Sequence, residues 1–221
     1  ALGNEALESN TTASFNTAIG HEAMTANTTG QYNVAVGSHA LDASNTSANV
    51  AMGHAALGAQ TTGYRNTCIG AYAGEYITTS RQNCALGHYA LTSAAGHYNT
   101  GIGEQALRLC TGEGNDALGH AAGYDITTGN NNICLGTSAG RSSSPSGAIT
   151  TGQYQVCIGN NNISNAYIKV DWTVTSDRRD KTDIEPFKHG LSWINKLNPV
   201  TYRWDNRSDY ANGIPDGSKK G

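Results

Sequence analysis

A nine-residue pattern, N-x-A-I-G-x-x-A-L, recurs along most of this chain of 221 residues. Aligned on their central glycine, the copies lie at Gly3, Gly20, Gly37, Gly53, Gly70, Gly87, Gly103, Gly119, Gly136 and Gly159. Successive glycines are 16 or 17 residues apart, except for a last step of 23. A fixed period of this length predicts repeated units that stack on one another instead of a single globular core.

Each copy carries the same residue types around its glycine. Asparagine stands four residues before the glycine in eight copies, and a large aliphatic residue stands directly before it in all ten. The residue two positions before the glycine is small, mostly alanine or cysteine. Alanine follows three residues after the glycine in nine copies, usually with leucine next, and a Thr-Thr pair begins nine residues before the glycine in six.

Sixteen or seventeen residues are too few for a helical hairpin but enough for two short strands and two turns. Glycine tolerates positive φ and asparagine hydrogen-bonds to its own backbone, so both residues favour the turns. The aliphatic residue and its small neighbour are adjacent in a strand and therefore point to opposite faces. The pattern predicts a mainly β fold, a parallel β-solenoid of about ten coils of 16–17 residues that rises ~4.8 Å per coil.

The two apolar rows have a consequence for assembly. The interior of so small a coil is about 10 Å thick, and only one of the rows fits inside it. The other row forms a long exposed apolar stripe, which a soluble monomer rarely carries. The chain is therefore predicted to form oligomers along that stripe.

Composition excludes several classes of function. Charged residues make up 14% of the chain, the net charge is −3, and the repeats carry no basic stripe, so nucleic acid is not an expected partner. No membrane span is predicted because no run of 18 apolar residues occurs. The cysteines show no CxxC spacing and are predicted to be free, buried thiols made in a reducing compartment, without a metal or cofactor. They are Cys68, Cys84, Cys110, Cys134 and Cys157.

Two polar rows allow a functional and a structural interpretation. Histidine follows the glycine at His21, His54, His88 and His120, and could form a metal ladder. The same position holds serine, alanine, glutamate or threonine in other copies, which favours a polar surface or axis-facing position. The threonine row could order ice or bind sugars, but a stacked threonine row is also ordinary β-structure, which is the favoured interpretation.

The repeated pattern resembles the head repeat of YadA-like trimeric adhesins over residues 1 to about 163. That resemblance implies a left-handed parallel β-roll in which three chains pack side by side. It is specific because ten copies match. The repeat is then expected to build a stiff trimeric shaft.

The composition changes near residue 176. Residues 1–175 contain 15 charged residues, whereas the 46 residues from 176 onward contain 16, and three of the four prolines lie there. Apolar residues at helical spacing between Pro186 and Pro199 predict a helix, and the alternation of Val200, Tyr202 and Trp204 predicts a strand. This segment is predicted to be a small α+β module.

The segment resembles the start of the self-cleaving intramolecular chaperone of endosialidase-type phage tail spikes and fibres. The motifs that carry the resemblance are SDRRDK at 176–181, I-x-P at 184–186 and L-x-x-I-x-x-L-x-P-V-x-Y-x-W at 191–204. The resemblance implies trimerisation, autocleavage between Thr175 and Ser176, and a catalytic dyad of Ser176 and Lys181. The chemistry is reasonable, because burial lowers the pKa of a lysine and lets it serve as the base for a serine.

The expected organisation is a shaft at 1–163 with an insertion loop at 141–152, a connecting strand at 164–175, and the N-terminal part of the chaperone at 176–221. The family's module usually continues beyond this length, so the chain is expected to be a piece of a longer protein.

These features predict a structural and adhesive component of a bacteriophage tail, made in the bacterial cytoplasm and carried in the virion. The expected partners are two further copies of the chain, other tail proteins and a host-cell receptor, expected to be a glycan. The alternative is a stalk or head fragment of a bacterial trimeric autotransporter adhesin. A hydrolase acting on host polysaccharide is disfavoured because no paired acidic residues recur in the repeats. Any activity is expected to be the single self-cleavage.

Overall fold

The structure, a computed structural model, describes residues 1–93 and 95–169. The first compact unit of the chain is Ala1–Tyr167. The regular elements of the described residues are short parallel strands of three residues each, and no helix long and apolar enough to cross a membrane occurs among them. The strands are β1 (Thr17–Ile19), β2 (Val34–Val36), β3 (Val50–Met52), β4 (Thr67–Ile69), β5 (Cys84–Leu86), β6 (Thr100–Ile102), β7 (Asp116–Leu118), β8 (Ile133–Leu135) and β9 (Val156–Ile158).

The strands form one sheet in chain order, and each strand pairs in parallel with the next. The register joins equivalent repeat positions, so that Ala18 faces Ala35 and Ala51 faces Cys68. Leu2, the residue before the first central glycine, adds an isolated parallel bridge to Ile19. The predicted mainly β parallel solenoid is confirmed in the described residues. The three chains and the α+β module stay predictions, and the module lies outside the described residues.

The core consists of two rows of small and medium side chains. The middle residue of every strand is buried, as are the alanine and leucine that follow the central glycine, for example Ala40 and Leu41. The small strand residues and these leucines belong to one buried cluster, in which the strand position holds only alanine, cysteine or glycine. The structure therefore places the Ala/Cys row inside and the aliphatic row outside, a choice that the sequence pattern left open.

In three coils, a residue other than leucine fills the part of the core that leucine occupies in the other coils. Where glycine replaces the leucine, at Gly74, Gly123 and Gly140, a buried isoleucine from later in the coil takes its place. A Cβ on Gly74 would lie 2.6 Å from Cys68 Sγ and 3.0 Å from Cδ1 of Ile77. In the last of these coils the isoleucine is Ile149, which comes from the insertion loop. The loop therefore completes the core of its coil.

A buried asparagine ladder connects successive coils. The Oδ1 atom of each repeat asparagine accepts the backbone N–H of the next one, as Asn66 Oδ1 does from Asn83 N at 3.0 Å. In several coils the Nδ2 group donates to a turn carbonyl of the next coil, and Asn66 Nδ2 lies 2.8 Å from Ser80 O. The chain of Oδ1 contacts runs without a break from Asn16 to the backbone of Gln155. Each amide thus pairs backbone groups that the turns leave buried.

The backbone is left-handed at regular positions that hold residues other than glycine. In nearly every described coil, positive φ occurs two and four residues after the central glycine, for example at Tyr72 (φ 59°) and Leu57 (φ 50°). These corners direct their N–H groups to neighbouring coils: Leu57 N donates to Ala73 O at 3.0 Å and Tyr72 N to His54 O at 2.9 Å. The hydrogen bonds between coils offset the cost of the left-handed conformation.

The glycine that follows a Thr-Thr pair was expected to serve its turn by adopting a positive φ, and the structure gives it a different role. Gly63 does not have the positive φ that its turn position predicted. It is needed because the next coil passes close by, and a Cβ there would lie 2.3 Å from the Ser80 carbonyl oxygen. Close backbone approach, and not turn conformation, explains the glycine.

The five cysteines all lie in the described coils, and their predicted burial is confirmed for four of them. All five are free, and all except the half-buried Cys84 are buried. Burial raises the pKa of Cys110 to about 11 and that of Cys134 to about 12. Cys110 and Cys134 thus pack as small apolar residues in the core.

Candidate functional site

The outward face of the strands is unusual among the described residues because it exposes a row of aliphatic side chains. The residue before each central glycine points to solvent and is at least partly exposed although it is aliphatic. Ile19 is 40% exposed, Leu86 44% and Leu118 53%. We call this row the apolar stripe, and its members are Leu2, Ile19, Val36, Met52, Ile69, Leu86, Ile102, Leu118, Leu135 and Ile158.

The apolar stripe is continuous because the strands pair residue by residue. Met52 faces Ile69 across one strand pair, and Leu118 faces Leu135 across another. Nine strands at ~4.8 Å spacing extend the stripe for about 40 Å. Asp116 is the single charged residue on this outward strand face of the described coils. An uncovered apolar row of this length marks an interaction surface.

The threonine row has a structural role in the described coils. The Thr11 hydroxyl donates to the Thr28 carbonyl at 3.0 Å, and Thr111 makes the equivalent bond to Thr127 at 3.1 Å. These hydroxyls are engaged by the backbone of the next coil. The geometry therefore favours the interpretation of this row as ordinary β-structure.

A row of imidazole and phenol rings follows the corner after the central glycines. His21, His39 and His54 lie in successive coils with ring centroids 5.5 and 5.8 Å apart, and Tyr72 continues the row 5.1 Å from His54. The repeat pattern identifies His21 and His54, which directly follow a central glycine, but not His39, which stands two residues after its glycine. His39 belongs to the row because the corner places the first and second residues after the glycine side by side in successive coils.

Carboxylates accompany the first two histidines. Glu22 Oε2 lies 2.9 Å from His39 Nδ1, and Glu22 Oε1 lies 3.6 Å from His21 Nε2. Asp42 Oδ2 lies 3.7 Å from His39 Nδ1. Burial raises the pKa of the Asp42 carboxyl, although a backbone hydrogen bond and His39 oppose the shift. The sequence patterns predicted no metal site, yet these side chains converge.

The residues predicted to cleave the chain lie outside the described residues. Thr175, Ser176 and Lys181 all fall in the range 170–221. Their dyad and their cleavage position therefore stay predictions.

One comparison with known proteins gives a match to part of the chain. A family model described as the chaperone of endosialidase matches residues 176–219, which is about a fifth of the chain and includes Ser176 and Lys181. No curated protein and no solved structure matches the chain. The match thus concerns the C-terminal segment, and the fold of the preceding part rests on the structure itself.

Proposed function

We propose that this chain belongs to a phage tail spike or fibre, in which three copies form a β-solenoid shaft and the C-terminal segment acts as an intramolecular chaperone. The observation that carries the proposal is the combination of an uncovered apolar stripe with a segment that matches the chaperone of endosialidase. Of the two adhesin classes that the repeats fit, the chaperone segment favours the phage protein over the bacterial autotransporter.

The proposed interface is the apolar stripe of each chain, packed against the stripes of two others around a common axis. One stripe per chain allows a closed cyclic assembly, in which every copy buries the same surface. The number three rests on the two family resemblances. The remaining partners that we propose are other tail proteins and a host-cell receptor, expected to be a glycan, with the virion tail as the location.

The proposed role of the chaperone segment follows from the repetition. Every coil contributes a similar aliphatic residue to the apolar stripe. Two chains shifted by one repeat relative to each other therefore lose few contacts, and the wrong register is only slightly less stable than the correct one. Pairing between distant parts of different chains is also slow and exposes unpaired edges to aggregation. A segment that trimerises first at one end would set the register before the coils associate. Its removal would then leave the shaft kinetically trapped.

We expect the purified protein to have the mass of a trimer and the Ile69→Asp variant to associate at least about a hundredfold more weakly. A carboxylate in the stripe would be buried against apolar neighbours without a partner. Ile69 is half-buried on the outward face, so the monomer fold should persist. Sedimentation equilibrium measures both masses, and Thr62→Asp, on the exposed threonine row, is the matched control. A monomeric wild-type protein would refute the trimer.

We expect deletion of residues 176–221 before synthesis to give aggregates or monomers instead of soluble trimers. With the complete module present, Ser176→Ala should give folded trimers that stay uncleaved, and Lys181→Ala should do the same if lysine is the base. Electrophoresis and light scattering measure cleavage and assembly separately. If the deletion variant assembled as well as the intact chain, the chaperone role would be wrong, whereas cleavage by Ser176→Ala would overturn only the dyad.

A further inference from the structure

Three side chains from two neighbouring coils, His21, Glu22 and His39, converge at the N-terminal end of the solenoid, and Asp42 lies beside His39. His21 and Glu22 follow one central glycine, and His39 and Asp42 follow the next. One ligand atom each from His21, Glu22 and His39 lies within 4.8 Å of the other two. The three closest contacts measure 2.9, 3.6 and 3.7 Å, each between an imidazole nitrogen and a carboxylate oxygen. In a tetrahedral zinc site with ligands at about 2.05 Å, neighbouring ligand atoms are ~3.3 Å apart. Small side-chain rotations would bring the ligand atoms of His21, Glu22 and His39 to that spacing.

The backbone holds these residues on a rigid part of the fold. His39 N donates to His21 O at 2.9 Å, which ties the two corners together at the point where the ligands project. Ala23 directly follows Glu22 and Ala40 directly follows His39, and both alanines are completely buried in the core. A site on such a scaffold loses little conformational entropy when it binds an ion.

The fold does not require these residue types at the corner. The position of Glu22 and His39 has a left-handed backbone in each coil, and other coils place Ala55 or Ala121 there. The row of rings can likewise form without carboxylates, since Tyr72 continues it. The carboxylate and imidazole groups at these three converging positions therefore add something that the solenoid itself does not need.

The sides of the cluster are open to solvent. His21 is half-exposed, and His39 and Asp42 line a groove of about 300 Å³ that continues past Gly58 to Glu75. Water can reach an ion from this groove and complete its coordination.

We propose that His21, Glu22 and His39 bind a divalent transition-metal ion, with zinc as the best-suited ion and water from the groove in the fourth position. Two imidazoles with carboxylate oxygens form a donor set that suits zinc, whereas calcium and magnesium prefer sites made of oxygen alone. The ion would join two consecutive coils near the N-terminal end of the solenoid. It would stabilise the folded state because the unfolded chain does not hold these groups together.

Zinc titration tests the proposal on the full chain after treatment with EDTA. At neutral pH, competition with a chromophoric chelator should detect one zinc site per chain, and zinc should raise the melting temperature. His39→Gln and Glu22→Gln should each weaken binding by at least about tenfold. Both variants should melt at the wild-type temperature in EDTA if they are folded. Cobalt bound to the wild-type protein should give the intense visible absorption of a tetrahedral site.

The matched control is His88→Gln. His88 follows its own central glycine and lies 4.0 Å from Glu104, but its neighbouring rings are Tyr72 and Tyr89 and not a second histidine. This variant should bind zinc as the wild type does. The proposal is overturned if the wild-type chain binds no zinc, or if His39→Gln and Glu22→Gln bind it as tightly as His88→Gln does.

Discussion

The Gly70→Ala substitution is expected to prevent the solenoid from forming stable coils around that position. Gly70 has a φ of +133°, a region that is essentially restricted to glycine. An added Cβ would also lie 2.5 Å from the carbonyl oxygen of Gly87 in the next coil. The contact is with backbone on a stacked coil, so no side-chain movement relieves it. We expect a loss of ~4 kcal/mol or more in the free energy of unfolding.

Urea unfolding followed by circular dichroism measures this loss. Gly58→Ala is the matched control, because Gly58 has no positive φ and an added Cβ would lie 3.3 Å or more from its neighbours. That variant should differ from the wild type by less than about 1 kcal/mol. Equal stabilities of the Gly70→Ala and Gly58→Ala proteins would contradict the close approach of the Gly87 backbone to Gly70.

The Asn66→Ala substitution is expected to cost about 3 kcal/mol in the free energy of unfolding. Asn66 is completely buried, and its amide contacts two separate backbone groups. Alanine would leave the Asn83 N–H and the Ser80 carbonyl without these partners, at 3.0 and 2.8 Å in the wild type. Each buried unpaired group costs ~1–3 kcal/mol.

The same unfolding measurement tests the ladder. Asn4→Ala is the control, since Asn4 is exposed and its side chain contacts only the neighbouring carboxylate of Glu5 in the described residues. We expect a change within about 0.5 kcal/mol there. A loss below ~1 kcal/mol for Asn66→Ala would mean that water or a shifted turn replaces the amide, and that the ladder is not a main source of stability.

The proposed interface can be predicted from the sequence, whereas the proposed zinc site cannot. The apolar stripe is visible as a repeated aliphatic row, because each member occupies the same position of its repeat. The zinc ligands are not, because His21 stands one residue after its glycine whereas Glu22 and His39 stand two residues after theirs, and this combination of ligand types occurs in only one pair of neighbouring repeats. The spacing of coils in space, and not the spacing of residues in the chain, brings them together.

What the sequence by itself determined is the stacking. A period of 16 or 17 residues places each repeat position over its equivalent in the next coil, so the parallel order of β1 to β9 follows from the repetition alone. The sequence predicted asparagines that bond to their own backbone, whereas in the structure each Oδ1 accepts from the backbone of the next coil, as Asn66 does from Asn83. Only the tertiary structure decided which apolar row is inside, because that depends on how leucines such as Leu41 and Leu57 pack with the small strand residues in one buried cluster. It also decided why Gly63 must be glycine, since the neighbouring coil, and not the local turn, occupies the space of its missing side chain.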